Sequence, residues 1–129
     1  MVQPPMLLID DEPHLASFVA NAGEICGYAP RIAEGDGDFR IQFVNEPPAL
    51  VALDLGMPGS DGVELLRFLA DQRFEGPVLI ISGFDRRILD SAFRLGEALG
   101  LRMVGPLEKP TRLDALEELL MQLKPTLAI

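Results

Sequence analysis

Residues 52–62 read Ala-Leu-Asp-Leu-Gly-Met-Pro-Gly-Ser-Asp-Gly, and this stretch decides the fold. An apolar run over residues 49–53 leads directly into Asp54, and a loop rich in glycine, proline and serine follows at once. A short, continuous apolar run bounded by turn residues is typical of a strand that is buried on both faces, as in a parallel sheet. Because open α/β sheets carry their chemistry at the carboxyl ends of the strands, we expect Asp54 to lie in a functional site.

The rest of the chain alternates strand patterns with helix patterns. Apolar runs predict further strands over residues 5–9, 28–33, 78–81 and 101–104, the second of them near an edge. Helical spacing of apolar residues predicts helices over 15–26, 63–69, 86–99 and 112–123, and Asp38 would cap a short helix carrying Phe39, Phe43 and Val44. Strand followed by helix, five times over, predicts an α/β fold: a flavodoxin-like, doubly wound, five-stranded parallel sheet of order 2-1-3-4-5 with five helices.

Length and charge limit the classes of function. A chain of 129 residues favours a single domain over 1–129, with its core at about 5–124 and no effector domain. The 11 basic and 20 acidic residues give a net charge of −9, which argues against direct binding of nucleic acid or of a membrane surface. The single cysteine, Cys26, has apolar neighbours, so we expect a buried free thiol and a cytoplasmic protein.

In the predicted strand order, four strand ends meet at one edge of the sheet. The first strand delivers Asp10 and Asp11, the third Asp54, the fourth Ser82 and the fifth Lys109. Carboxylates this close repel one another unless positive charge neutralises them. Lys109 supplies one positive charge, and the oxygen ligands suit Mg²⁺. A carboxylate in such a site can act as a nucleophile toward a phosphoryl group.

Four motifs in this order, each after an apolar strand, resemble the receiver domain of bacterial two-component response regulators, and the resemblance covers about residues 5–124. The motifs are Leu-Ile-Asp-Asp-Glu-Pro at 8–13, Leu-Asp-Leu-Gly-Met-Pro-Gly-Ser-Asp-Gly at 53–62, Ile-Ser-Gly at 81–83 and Glu-Lys-Pro at 108–110. The segment from Ser82 to Arg102 and the Leu-Glu-Lys-Pro ending are also similar to receivers fused to EAL-type cyclic-di-GMP phosphodiesterases.

The resemblance implies a role for each matching residue. Asp54 matches the phospho-acceptor, Ser82 the hydroxyl switch and Lys109 the lysine that contacts the phosphoryl group. The metal ligands of the family match Asp10, Asp11, Asp54 and the backbone carbonyl of Gly56, with Mg²⁺ as the cofactor.

The resemblance also implies the partners and the reaction. The phosphoryl donor would be a sensor histidine kinase or a histidine phosphotransfer protein, and the signal would pass on by conformational change. Self-phosphorylation and slow self-dephosphorylation are expected, without turnover of a separate substrate. No residue names the downstream effector, and a dimer that forms on phosphorylation stays open as an alternative to a monomer.

Pro106 departs from the family pattern. Receivers usually carry Tyr or Phe three residues before the lysine, as a ring that moves with the hydroxyl switch, and proline has no such ring. The alternative is therefore a receiver-like, constitutive protein-interaction module with atypical or vestigial phosphorylation.

Two other protein classes fit the sequence less well. A phosphatase of the haloacid-dehalogenase kind would need a second aspartate at the position of Gly56. A flavodoxin would need a Ser/Thr-rich phosphate loop after the first strand, where this chain has Asp10 and Asp11.

Overall fold

The computed structural model describes residues 3–10, 12–54, 62–82, 86–108 and 112–127, with the backbone alone at residues 82, 86 and 88. Over these ranges the strands are β1 (Pro5–Ile9), β2 (Ala29–Ala33), β3 (Leu50–Leu53), β4 (Pro77–Ser82) and β5 (Arg102–Glu108). The helices are α1 (Pro13–Ile25), α2 (Asp36–Asn45), α3 (Gly62–Asp71), α4 (Arg86–Ala98) and α5 (Leu113–Leu123), and a 3₁₀ turn follows at Lys124–Thr126. No helix in the described ranges is both long enough and apolar enough to cross a bilayer.

All strand pairs in the sheet are parallel, and the order is β2-β1-β3-β4-β5. This confirms the predicted flavodoxin-like, doubly wound topology. The strand β2 lies at one edge, as its weaker apolar pattern indicated, and β3 lies at the centre. All four residues of β3 are buried.

Two-sided burial explains why the central strands read as continuous apolar runs. In β1, Leu7 and Ile9 pack in the layer that contains α2, α3 and α4, while Met6 and Leu8 pack in the layer that contains α1 and α5. Successive side chains of a strand point to opposite faces, so a strand covered on both sides needs an apolar residue at every position. The sheet therefore has a hydrophobic core on each face.

Polar contacts tie α5 and the 3₁₀ turn after it to the segment that follows α1. The hydroxyl of Tyr28 donates a hydrogen bond to the carbonyl oxygen of Leu120 at 2.6 Å, and Lys124 Nζ donates to the carbonyl oxygen of Cys26 at 3.2 Å. Cys26 is a buried free thiol, as predicted, and burial is the main cause that raises its pKa. Burial likewise raises the pKa of Tyr28 to about 12.

Two local predictions are wrong. The fifth strand does not end at Val104 but continues through Gly105 and Pro106 to Glu108. A proline in a strand signals a break, yet Pro106 lies on the edge strand, where a missing N–H is tolerated.

The second error concerns the start of α2, whereas the helix itself carries Phe39, Phe43 and Val44 as predicted. The helix begins at Asp36 after Gly35, and Asp38 Oδ2 accepts the N–H of Glu34 at 2.8 Å instead of capping the helix. Val44 is 58% exposed, so it faces solvent and not the core. Phe39 and Phe43 are buried as expected, and Phe43 meets the ring of Phe68 edge-on with centroids 5.5 Å apart.

Candidate functional site

Asp54 directly follows β3 and is 4% exposed. Its N–H donates a hydrogen bond to the carbonyl oxygen of Ile9 at 3.0 Å, one step beyond the pairing of Ile9 with Leu53. The strands β1 and β3 therefore stay in register to their carboxyl ends. Burying a carboxylate lowers the stability of the fold unless nearby charges or hydrogen bonds compensate for the lost hydration. Buried carboxylates are therefore often found in functional sites.

Asp10 follows β1 as Asp54 follows β3, so the two residues are neighbours at the ends of paired strands. Paired parallel strands lie about 4.8 Å apart. Asp10 is half-buried, and its Oδ1 accepts the N–H of Glu12 at 2.9 Å. This bond orients the Asp10 side chain at the turn into α1, where Pro13 occupies the first position.

The strands β4 and β5 end at the same edge of the sheet. Ser82 is the last residue of β4 and pairs in register with Glu108, the residue before Lys109 in the chain. The backbone thus brings the end of β4 to the side of β3 and the end of β5 to the side of β4, as the predicted strand order requires. Sequence reasoning missed the pairing of Ser82 with Glu108 because it ended the fifth strand at Val104.

The described residues contain part of the predicted site. They bring together Asp10 and Asp54, and they place the backbone of Ser82 at the same edge. The other predicted site residues, Asp11, Gly56 and Lys109, lie outside the described ranges. So do Ser60, Asp61, Asp85 and Thr111, which precede α3, α4 and α5 in the chain and whose side chains are of the type that caps helix N-termini.

Comparison with known proteins identifies the family. The family described as "Response regulator receiver domain" matches residues 6–121 of the chain. The chain belongs to this family. The receiver domain of a response regulator from Francisella has a similar structure, with a TM-score of 0.80, 25% identity, and coverage of 96% of this chain and 99% of that one.

Two curated relatives are regulatory proteins of greater length. The chain is 33% identical to the C4-dicarboxylate transport transcriptional regulatory protein DctD of Pseudomonas aeruginosa, over 88% of this receiver domain and 24% of DctD. It is 30% identical to the positive alginate biosynthesis regulatory protein of the same species, over 89% of the chain and 45% of the relative. The receiver domain thus spans less than half the length of both relatives.

Receiver domains bind Mg²⁺ at the phosphorylation site, and the described carboxylates fit such an ion. Asp10 and Asp54 offer oxygen ligands from neighbouring strands, the donor type that Mg²⁺ prefers. Among the residues that the structure describes, no group of three or more His, Cys, Asp and Glu side chains could hold a metal ion. Two of the three predicted carboxylates are within those residues, and Asp11 is not.

The strand β5 of this receiver domain bulges where the family usually has its aromatic residue. Leu79 pairs with Val104 and Ile81 with Leu107, so Gly105 and Pro106 together lie opposite the single residue Ile80. The Gly105–Pro106 peptide bond is cis, and Gly105 has a φ of 91°, a conformation that favours glycine. The half-buried Pro106 therefore belongs to an irregular stretch of an edge strand, next to the strand that delivers Ser82.

Proposed function

We propose that this receiver domain accepts a phosphoryl group on Asp54 from the phosphohistidine of a sensor histidine kinase or of a histidine phosphotransfer protein. The observation that carries the proposal is the pairing of β1 with β3, which holds the buried Asp54 beside Asp10 at the carboxyl edge of the sheet. This is the edge at which open α/β sheets carry their sites.

The proposed reaction is a displacement at phosphorus. A carboxylate oxygen of Asp54 forms a bond to phosphorus, the P–N bond of phosphohistidine breaks, and its electron pair goes to the imidazole nitrogen. Phosphoryl transfer depends mainly on positioning and on neutralising the charge of the equatorial oxygens. Lys109 would contribute one positive charge to this neutralisation.

The proposed metal ligands are Asp10, Asp11, Asp54 and the backbone carbonyl of Gly56. When bound, Mg²⁺ would neutralise charge on the carboxylates and on the phosphoryl oxygens. Asp10 has its Oδ1 already held by the N–H of Glu12, which reduces the freedom that it would lose on binding a metal. Water would later hydrolyse the acyl phosphate, so the chain turns over no separate substrate and is not an enzyme in the usual sense.

The proposed signal leaves the site through the end of β4. The Ser82 hydroxyl would donate a hydrogen bond to a phosphoryl oxygen, and the pairing of Ser82 with Glu108 would transmit its displacement to β5. The effector is a protein or a further domain, because the net charge of −9 disfavours direct contact with nucleic acid or with a membrane surface. Sensor kinases act on regulators in the cytoplasm, and we place this chain there.

Intact-mass spectrometry tests the acceptor. Incubation with acetyl phosphate and Mg²⁺ should add the mass of one phosphoryl group to the wild type and nothing to Asp54→Asn. The matched control is Asp71→Asn, which changes an exposed aspartate at the end of α3 and should be phosphorylated like the wild type. A mass increase that survives in Asp54→Asn would refute the assignment of Asp54.

Pro106 favours a second candidate, a constitutive interaction module in which phosphorylation has no output. The two candidates differ in the response of backbone amides to beryllofluoride and Mg²⁺, a stable mimic of the phosphoryl group. In a switch, the NMR resonances of β5 amides should shift as far as Val104. In a constitutive module, only amides at the site should respond. In the switch, Ser82→Ala should bind beryllofluoride but lose the shifts along β5.

A further inference from the structure

Three helices end in the same way at the edge of the sheet opposite Asp54, but one of them uses an unusual residue. After α1 and α4, the chain turns at Gly27 and Gly100, each with a φ of 87°. After α3 it turns at Arg73, whose φ is 56°. The hydrogen bonds match at all three ends; after α3, Arg73 N–H donates to the Ala70 carbonyl and Phe74 N–H to the Leu69 carbonyl, both at 3.0 Å.

A side chain in this left-handed conformation is strained, and glycine avoids the strain. Such a residue persists where something else compensates it, often at a ligand site. Within the part of the chain that the structure describes, the Arg73 guanidinium forms no ion pair, side-chain hydrogen bond or ring contact. Contacts inside the fold therefore do not explain why an arginine stands here.

Arg73 lines two adjacent cavities at this edge, of about 450 Å³ and about 420 Å³. Arg102 lines both as well, together with Phe74 and Glu75. The larger cavity also has apolar walls, to which Phe43, Pro47 and Leu127 contribute. Its volume lies in the range of small-molecule sites, about 300–1,000 Å³.

Arg102 is held in place at this cavity. Its Nη2 donates a hydrogen bond to Thr126 Oγ1 at 2.5 Å, and Thr126 Oγ1 donates to the carbonyl oxygen of Leu123 at 2.6 Å. The two arginines and Glu75 give the cavity wall a surplus of one positive charge, in a protein whose net charge is −9. The overall charge repels acidic macromolecules, whereas a small anion can reach a local positive site.

We propose that the larger cavity is a binding site for a small organic monocarboxylate. The carboxylate would lie between Arg73 and Arg102, and an aromatic or aliphatic body would lie against Phe43 and Phe74. Arginine is suited to this role because its planar guanidinium can hold a carboxylate through two parallel hydrogen bonds. Ala49 lines this cavity and directly precedes β3, whereas Asp54 directly follows β3. The proposed site and Asp54 therefore lie at opposite ends of the same strand.

The test is an NMR titration of the unphosphorylated, metal-free protein with sodium benzoate at constant ionic strength. Backbone amides of Phe74, Glu75 and Arg102 should shift in a saturable way, and the neutral analogue benzamide should leave them unchanged. Arg73→Gln and Arg102→Gln should each lower the affinity about tenfold, the factor typical of losing a hydrogen bond to a charged group. Arg94→Gln, at an exposed position of α4, should bind like the wild type.

The stability of Arg73→Gly distinguishes a ligand-binding role of Arg73 from a structural role. Arg73→Gly should lose benzoate binding and yet raise the urea midpoint, because glycine relieves the strain at φ 56°. A lower midpoint in Arg73→Gly would mean that the arginine supports the fold, and the proposal would be overturned. Shifts that do not saturate, that benzamide reproduces or that saturate with wild-type affinity in Arg73→Gln would overturn it equally, whatever the outcome at Asp54.

Discussion

The N–H of Asp54 and the carbonyl of Ile9 form a 3.0 Å hydrogen bond that makes Asp10 and Asp54 neighbours at the ends of paired strands. Two neighbouring carboxylates at the end of buried strands attract a divalent cation and repel each other without one. We therefore expect the stability of the folded protein to depend on a bound metal ion.

Mg²⁺ should stabilise the wild type against urea, because a ligand that binds only the folded state adds to the free energy of unfolding. The gain is about 2.7 kcal/mol at a Mg²⁺ concentration 100-fold above the dissociation constant. In Asp10→Asn and Asp54→Asn the gain should largely disappear, since each variant loses a charged ligand. Asp71→Asn should keep it. An equal gain in all four proteins would show that Mg²⁺ acts elsewhere.

Strand order and burial could be predicted because both depend on local sequence patterns. Residues such as Leu7 and Leu8 are apolar at consecutive positions, which requires a strand covered on both faces, and alternation with helices then requires a parallel sheet. The order in turn places Asp10, Asp54 and the end of β4 at one edge.

Other features depend on tertiary pairing and could not be predicted. The strand β5 continues past Val104 because β4 offers partners on both sides of the bulge at Gly105 and Pro106. The exposure of Val44, in contrast, follows from helix geometry alone, because Val44 lies about 100° around the helix from Phe43 and off the face that buries Phe39 and Phe43. Arg73 gave no signal in the sequence, because only its φ distinguishes it from an ordinary surface arginine.

Tyr28 should ionise only at strongly alkaline pH in the folded protein. Burial raises its pKa to about 12, and its hydroxyl donates the 2.6 Å hydrogen bond to Leu120. Because the folded-state pKa lies above the unfolded value of 10.0, this contribution to stability is complete below about pH 10 and is lost as the pH rises through about 12.

The chain has one tyrosine and no tryptophan, so the ultraviolet absorbance of tyrosinate reports Tyr28 alone. The titration should show a midpoint near 12 in the folded protein and near 10 in urea. Tyr28→Phe should remove the signal and cost about 1 kcal/mol at neutral pH, the typical value of one hydrogen bond. A native midpoint near 10 would contradict a buried, donating hydroxyl.

Gly76 should not tolerate a side chain. A Cβ at this position would lie 2.3 Å from the carbonyl oxygen of Ala49 and 2.7 Å from Cζ of Phe74. Backbone must move to admit it, so Gly76→Ala should lower the free energy of unfolding by about 2–3 kcal/mol.

The matched control is Gly37→Ala in α2, where a Cβ meets nothing within 4 Å. That variant should be neutral or stabilising by up to about 1 kcal/mol. Urea denaturation of both proteins measures the contrast, and equal effects would contradict it.

Gly105 should be required for the course of β5 beside Ser82. Its φ of 91° disfavours any side chain, and a Cβ would lie 3.1 Å from both the amide nitrogen of Leu107 and Cδ1 of Leu79. Gly105→Ala should therefore cost about 1–2 kcal/mol, judged by urea denaturation against Gly37→Ala. Since β4 and β5 pair on both sides of the bulge, the loss should be concentrated in the pairs Ile81–Leu107 and Ser82–Glu108. Hydrogen exchange should then accelerate at the amides of these pairs and stay unchanged in β1. Uniform acceleration across the sheet would instead indicate global destabilisation, and the bulge would have no local role in positioning the end of β4.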